Sequence, residues 1–182
     1  MTPNHAIGYY HSPIGWIEVQ STTHAVISIA FRDEHSDNRI PSGETPAVIT
    51  EMIDHMKDYF AGSRAPFSIA YTLSGTAFQQ CVWQAIRAIP FGETRSYSEL
   101  ASTIGRPKAT RAVGAACGQN PLPLLIPCHR VIGKTGTLTG FAGGLHRKHT
   151  LLQHESSAFL FPENSLHLPD YAISRRLACP TS

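Results

Sequence analysis

Ile126-Pro127-Cys128-His129-Arg130-Val131-Ile132-Gly133 is the stretch around which the rest of the chain is organised. An apolar run from Leu124 to Ile126 is stopped by Pro127, and a cysteine, a histidine and an arginine follow at once. A thiol at the end of a buried run, with an imidazole beside it, is a candidate nucleophile. The thiolate attacks, not the thiol, and a free cysteine with a pKa of about 8.5 is mostly protonated at neutral pH. A nearby base and a positive charge change that balance, and His129 and Arg130 are the local candidates. A buried cysteine packed as a small hydrophobe fits the octet equally well. The surrounding chain has to decide between the two.

The 182 residues suffice for one large domain or two small ones. Composition is that of a soluble globular protein, with 42% hydrophobic and 15% charged residues. Cys81, Cys117, Cys128 and Cys179 form no C-x-x-C pair, which argues against a disulfide framework and a four-cysteine zinc site. Free thiols of this kind suit a reducing cytoplasm, or a nucleus in a eukaryotic cell. No apolar run has the form of a signal-peptide core or the length of a membrane span, so no membrane association is expected. The net charge of +2 hides an asymmetry. Residues 1–75 hold 4 Lys+Arg against 8 Asp+Glu, and residues 76–182 hold 11 against 5. The basic part contains the Cys-His octet, and segregation of this kind points to a polyanionic partner there.

Residues 7–31 predict strands, with a hairpin at Ser12-Pro13-Ile14-Gly15 and a buried strand from Ala25 to Phe31. Residues 46–61 predict a helix through Val48, Met52, Met56 and Tyr59-Phe60, stopped by Gly62. Phe67 to Leu73 predicts a further strand. Ser74-Gly75 marks a boundary, which sets an N-terminal domain at 1–74, a second at 75–155 and a tail at 156–182. Thr76-Ala77-Phe78-Gln79 has the form of a capping box, and Phe78, Val82, Ala85-Ile86 and Ile89 form a helical stripe that Pro90 ends. Cys81 lies within that helix with no partner in view.

Ser96-Tyr97-Ser98-Glu99 is a second capping box, opening a short helix that Gly105 ends. Pro107 suits the first turn of the next helix, from about Lys108 to Gly118. Two short helices across a tight glycine turn make a helix-turn-helix. Ala109, Ala112, Gly114, Ala115 and Ala116 give the second helix low relief, so its backbone can approach a surface closely. Arg95, Arg106, Lys108 and Arg111 cluster there, and with the charge split they predict DNA contact. A turn at Asn120-Pro121-Leu122-Pro123 then leads into a strand before Cys128, and Leu145 to His154 predicts a last helix ending at Glu155.

Several of these segments occur together, in one order and spacing: Thr76-x-Phe78-Gln79-x-x-Val82-Trp83, Ser96-Tyr97 with Leu100-Ala101, Arg111-Ala112-Val113-Gly114, Asn120-Pro121, Pro127-Cys128-His129-Arg130-Val131 and Gly143-Gly144-Leu145. The chain resembles the O6-alkylguanine–DNA alkyltransferases, also called methylated-DNA–protein-cysteine methyltransferases. The resemblance is strong over 75–155, weaker over 1–74 and absent over 156–182. It implies an α/β (α+β) fold class, with a ribonuclease H-like N-terminal α/β domain and a helical winged helix-turn-helix domain. It implies direct-reversal repair, in which Cys128 accepts the alkyl group of O6-alkylguanine, and of O4-alkylthymine, once per molecule. His129 would be its base through a water, Glu155 would orient the histidine, and Tyr97 would bond the flipped guanine and protonate it as it leaves. Asn120 would hold the turn. The Cys128 and Val131 carbonyls and the Ala142 amide would hold the base, while Pro123 and Phe141 line the alkyl pocket. Arg111 would fill the gap in a duplex held through its minor groove, beside Ala112. No cofactor and no metal are implied, and a monomer is expected. Cys117 stands where relatives often carry Asn or Met, and Phe141 where Tyr is common.

Other chemistries compete for the same residues. A cysteine hydrolase would pair Cys128 with a histidine but gives Arg111 no role. A zinc protein would recruit Cys128, His129, His146 and His149, although histidines three apart on a charged helix are more often solvated. A plain helix-turn-helix regulator leaves Cys128, His129 and Glu155 unexplained.

Overall fold

Ser12-Pro13-Ile14-Gly15 turns the chain back on itself as its residue types require. Gly15 takes φ of 100°, open to a residue without a Cβ, and Ser12 Oγ donates to Gly15 O at 2.7 Å. The computed structural model describes residues 5–34 and 45–156. The chain divides into two units, one of residues 1–73 with 121–123 and one of residues 74–120 with 124–182.

In the first unit, β1 (Ala6–Ser12), β2 (Gly15–Ser21) and β3 (Val26–Arg32) form an antiparallel sheet in that order. Alternation sets its faces. Ile17, Val19 and Ile29 are buried, as are Val48, Ile49, Met52, Met56 and Tyr59 of α1 (Ala47–Phe60), the helix that packs on the sheet. A methyl group at Gly8 would collide with Ile49, so the helix lies close against β1 because that position has no side chain. On β2, Glu18 is 3% exposed yet charged, and it accepts from Arg32 at 3.0 and 3.1 Å and from Gln20 at 2.9 Å.

The expected strand at 67–73 does not form. Tyr71 makes a single parallel bridge with Val26, closed by Val26 N donating to Ala70 O at 3.0 Å and Thr72 N donating to Val26 O at 2.9 Å. Further along β3, Ile29 N donates to Pro121 O at 2.9 Å. The free edge of β3 is therefore already used by another segment, and alternation in 67–73 has no ladder to join.

The second unit opens with α2 (Ala77–Arg87), and its Thr76/Gln79 capping box is present in full. Trp83 is buried and donates Nε1–H to Ala116 O at 2.8 Å, which ties α2 to α4 (Thr110–Gly118). α3 (Tyr97–Thr103) starts on a complete Ser96/Glu99 capping box. It ends with Gly105 at φ of 73°, Gly105 N on Ser102 O and Arg106 N on Ala101 O, the paired bonds of a Schellman ending. This ending corrects the expected start of the next helix. Residues 106–109 form a turn, closed by Ala109 N on Arg106 O at 2.9 Å, so Pro107 and Lys108 precede α4.

Leu124 to Ile126 is not a strand either. Leu124 takes φ of 73°, and the Ile126 carbonyl is taken by the Asn120 side chain at 2.8 Å instead of by a ladder. Cys128–Arg130 then make one 3-10 turn. β5 (Val131–Ile132) pairs in parallel with β4 (Arg95–Ser96), and α5 (Leu145–Glu155) closes the described chain. The fold is mixed α/β, with an N-terminal sheet unit and a helical C-terminal unit, in agreement with the expected class. The expected tail lies outside the described residues, apart from Ser156.

Candidate active site

Pro127 breaks the chain just ahead of the 3-10 turn, and this presents Cys128 and His129 together from one short segment. Both are buried, at 6% and 0% exposure. Burial pushes the Cys128 thiol above its ordinary pKa, against the stabilising pull of an Asn120 hydrogen bond and of the Lys148 ammonium. Asn120 is itself fixed by its bond to the Ile126 carbonyl, so one amide holds both the turn and the thiol. Cys128 therefore rests as a protonated thiol.

His129 follows Cys128 in the same turn. Burial lowers its pKa, with Glu155 opposing, so it rests as the neutral imidazole. Its Nε2 lies 2.7 Å from Glu155 Oε1. An ionised carboxylate only accepts, so Nε2 carries the proton and Nδ1 has the free lone pair. Nδ1 is buried and has no hydrogen-bond partner among the described residues. The ring is braced edge-on by Phe141, at 6.4 Å between centroids and 84° between planes.

Glu155 comes from the last turn of α5 and is 3% exposed. Burial alone would raise its pKa, but the His129 hydrogen bond and the Arg130 guanidinium hold it far below the carboxylate range. Arg130 donates Nε to Oε2 at 2.7 Å and Nη2 to Oε1 at 2.9 Å, and Gly92 N donates to Oε2 at 3.2 Å. Gly92 has φ of 77°, and a side chain there would press on the Glu155 carbonyl at 3.0 Å.

Lys148, on α5, is completely buried. Its ammonium donates to Val131 O at 2.5 Å and Thr139 O at 2.7 Å and lies 5.9 Å from the Tyr97 ring centroid. Burial brings its pKa down to about 8, and the Cys128 and Cys117 thiols oppose that fall. Tyr97 donates its hydroxyl to the same Thr139 carbonyl at 3.1 Å, and burial raises its pKa. Burial pushes the Cys117 thiol up to about 12, with Cys128 adding to it, so Cys117 stays protonated at neutral pH. Val131 is buried and Ala142 exposed, whereas Pro123 is buried and groups with the N-terminal unit. Cys81 is not the unpartnered thiol expected of it. It is disulfide-bonded, a pairing that spacing alone does not reveal. Among the described residues no His, Cys, Asp and Glu cluster is arranged to hold a metal.

On α4, Arg111, Ala112, Ala115 and Gly118 are exposed along one face, while Val113, Ala116 and Cys117 are buried on the other. Arg106 and Lys108 are exposed in the turn before it. Arg95 differs from its expected role. Its side chain is 13% exposed, bonded to Glu93 at 2.8 Å and to Thr94 O at 2.7 Å, because the acid two residues earlier folds onto it.

Two family models match the chain in order. One describes the ribonuclease-like domain of 6-O-methylguanine DNA methyltransferase and covers residues 6–73, and the other its DNA binding domain, over residues 77–157. A methylated-DNA–protein-cysteine methyltransferase of Mycobacterium bovis is 42% identical over 147 residues, 80% of this chain and 89% of that protein. Its counterpart from Salmonella typhimurium is 45% identical over 148 residues, 81% and 84% of the two chains. Among solved structures, Mycobacterium tuberculosis OGT in complex with DNA superposes with a TM-score of 0.72 at 41% identity, covering 81% of this chain and 90% of that one. With both halves matched in sequence order and the relatives spanned along most of their length, the chain belongs to the methylated-DNA–protein-cysteine methyltransferase family.

Proposed function

We propose that the protein repairs alkylated DNA by taking the alkyl group onto Cys128. Its substrates are O6-alkylguanine and O4-alkylthymine in duplex DNA. The observation that carries this is the His129–Glu155 bond of 2.7 Å, which leaves Nδ1 as a buried acceptor on the residue that follows Cys128 in the same 3-10 turn. His129 Nδ1 takes the Cys128 proton through a bridging water. Cys128 Sγ forms a bond to the alkyl carbon as the carbon–oxygen bond to the base breaks. The base leaves as an anion, and Tyr97 returns a proton to it. The imidazolium on His129 is stabilised by Glu155, which stays ionised. The Cys128 and Val131 carbonyls and the Ala142 amide hold the flipped base, and Phe141 lines the alkyl pocket.

The target atom is hidden in a duplex, so the nucleotide must leave the stack, at a cost of a few kcal/mol that is smaller for a damaged pair. The exposed small-residue face of α4 supports minor-groove docking, with Arg111 entering the vacated position and Arg106 and Lys108 on phosphates. Contacts of that kind give weak sequence preference, which suits a protein that must survey all sequence. A thioether does not revert, so each monomer acts once.

The test is mass spectrometry of the digested protein after incubation with a duplex carrying one O6-methylguanine. The expected result is a methyl group on the Cys128 peptide that saturates at one per protein, and none in Cys128→Ser. Continued turnover, or a full methyl yield from the Cys128→Ser protein, would refute the proposal.

A further inference from the structure

We infer that Arg130 is a positioning residue for the proton transfer: its guanidinium clamps both oxygens of Glu155, aims one at His129, and makes His129 the place where the Cys128 proton stops. This rests on the acceptor role of Cys128 proposed above.

The geometry sorts the donors on Glu155. Oε1 accepts from His129 Nε2 and Arg130 Nη2, and Oε2 from Arg130 Nε and Gly92 N. The arginine therefore fixes the plane of the carboxylate with its planar fork, which a lysine cannot do. The fork is itself held. Nη1 donates to Ile89 O at 2.6 Å just beyond the end of α2, and the guanidinium lies 5.8 Å from the Phe91 ring centroid. Backbone from the α2 end thus reaches His129 through two side chains, and the orientation of Oε1 does not depend on the histidine.

The clamp also decides where charge can rest. A carboxylate that is 1% exposed and paired only with an imidazole could take the proton, leaving two neutral groups and no buried charge. With a guanidinium across both oxygens, protonating Glu155 would strand a buried cation. The proton from Cys128 accordingly remains on His129. The charged groups bearing on His129 are Glu155 and Lys148 from α5 and Arg130 from its own turn, and the Cys128 thiol precedes it in that turn. Glu155 favours the imidazolium, whereas the two cations oppose it. Removing Arg130 thus takes away one opposing charge and frees Glu155 to share a proton. Loss of that opposing charge lets His129 bind its proton at higher pH, and a protonated His129 is no base.

The test is the rate of Cys128 alkylation by an O6-methylguanine duplex from pH 5 to 9, for the wild-type protein, Arg130→Gln, Arg130→Lys, Glu155→Gln and the double variants. For Arg130→Gln the rate at neutral pH is expected to fall at least about tenfold, and the acid limb to move up by about one pH unit. Arg130→Lys keeps the charge without the fork, so its acid limb should stay near the wild-type position while the rate drops. Added to Glu155→Gln, neither arginine change should cost more, since the clamp has lost its object. An unmoved acid limb in Arg130→Gln, or additive losses with Glu155→Gln, overturns the inference. If Arg130→Gln does not fold by circular dichroism, the cycle of Arg130→Lys with Glu155→Gln decides on the same additivity. A wild-type protein that never labels Cys128 would overturn the acceptor role, and this inference with it. Labelling with an unmoved limb overturns only the role of Arg130.

Discussion

Lys148 is an ammonium group with no solvent exposure, held by two carbonyls and lying over an aromatic ring. Its folded-state pKa of about 8 stands below the ordinary 10.5 because burial penalises the charge. The sign of the stability effect follows. Below pH 8 the folded and unfolded chains both carry the proton. Between about 8 and 10.5 the folded chain has released it and the unfolded chain has not, so stability rises with pH through that window. The two thiols act oppositely, since the buried Cys117 keeps its proton well past the pH at which an unfolded thiol loses it. Comparing the protein with Lys148→Met removes their contribution, because both chains retain them. The difference in unfolding free energy, wild type minus variant, should grow from about pH 8 upwards by as much as about 3 kcal/mol. Urea titrations at intervals from pH 7 to 10 measure it, and a difference that stays flat or shrinks would show that the ammonium is not destabilised by its surroundings. Met also leaves the Val131 and Thr139 carbonyls without a donor, a penalty that does not vary with pH.

In the docking proposed above α4 is the element that meets DNA, and its two faces are made differently. Val113, Ala116 and Cys117 fill the inner side, whereas Ala112, Ala115 and Gly118 leave the outer side low, with Arg111 at its start. A bulky residue on the outer side should hold the duplex away without disturbing the core. Ala115→Phe is expected to weaken duplex binding at least about tenfold, with circular dichroism and reaction with the free modified base unchanged. Arg111→Ala should leave binding nearly intact but slow repair of the duplex much more than reaction with free O6-methylguanine. Equal losses on both substrates would argue against a flipping role. How much of this was legible in the sequence depended on the range of the interactions. The two capping boxes and the Ser12–Gly15 hairpin could be read because each is complete within four residues. The strand expected at 67–73 failed because its partner edge is shared with Pro121, about fifty residues away, a contact no local pattern encodes. Cys128 and His129 stood out by adjacency, but Glu155 entered only through the family resemblance. The grip of Arg130 on that same carboxylate is not legible in the sequence, and neither is the burial of Lys148, because nothing in a helix sequence marks which lysine points inward.

At the scale of the molecule, charge is divided along the chain, with an excess of acids before residue 76 and of bases after it. Search for damage requires contact with undamaged duplex, and that contact is electrostatic. The exposed cations offered by the helix-turn-helix are Arg106, Lys108 and Arg111, since Arg95 is engaged with Glu93. The two phosphate contacts assigned to Arg106 and Lys108 predict that the logarithm of the binding constant falls with the logarithm of salt concentration at a slope of about −2. That is a shallow dependence, which fits a protein that binds briefly and moves on, with retention at a lesion coming from the flipped base. Lys108→Ala should reduce the slope by about one and weaken binding to all sequences alike, because a phosphate contact carries no sequence information. Fluorescence anisotropy with an undamaged duplex over a series of salt concentrations gives both slopes. A wild-type slope near zero would mean that phosphate neutralisation does not drive the search. A slope much steeper than about −2 would mean that further cations take part, and the basic excess in the rest of the chain after residue 76 would then be the place to look for them.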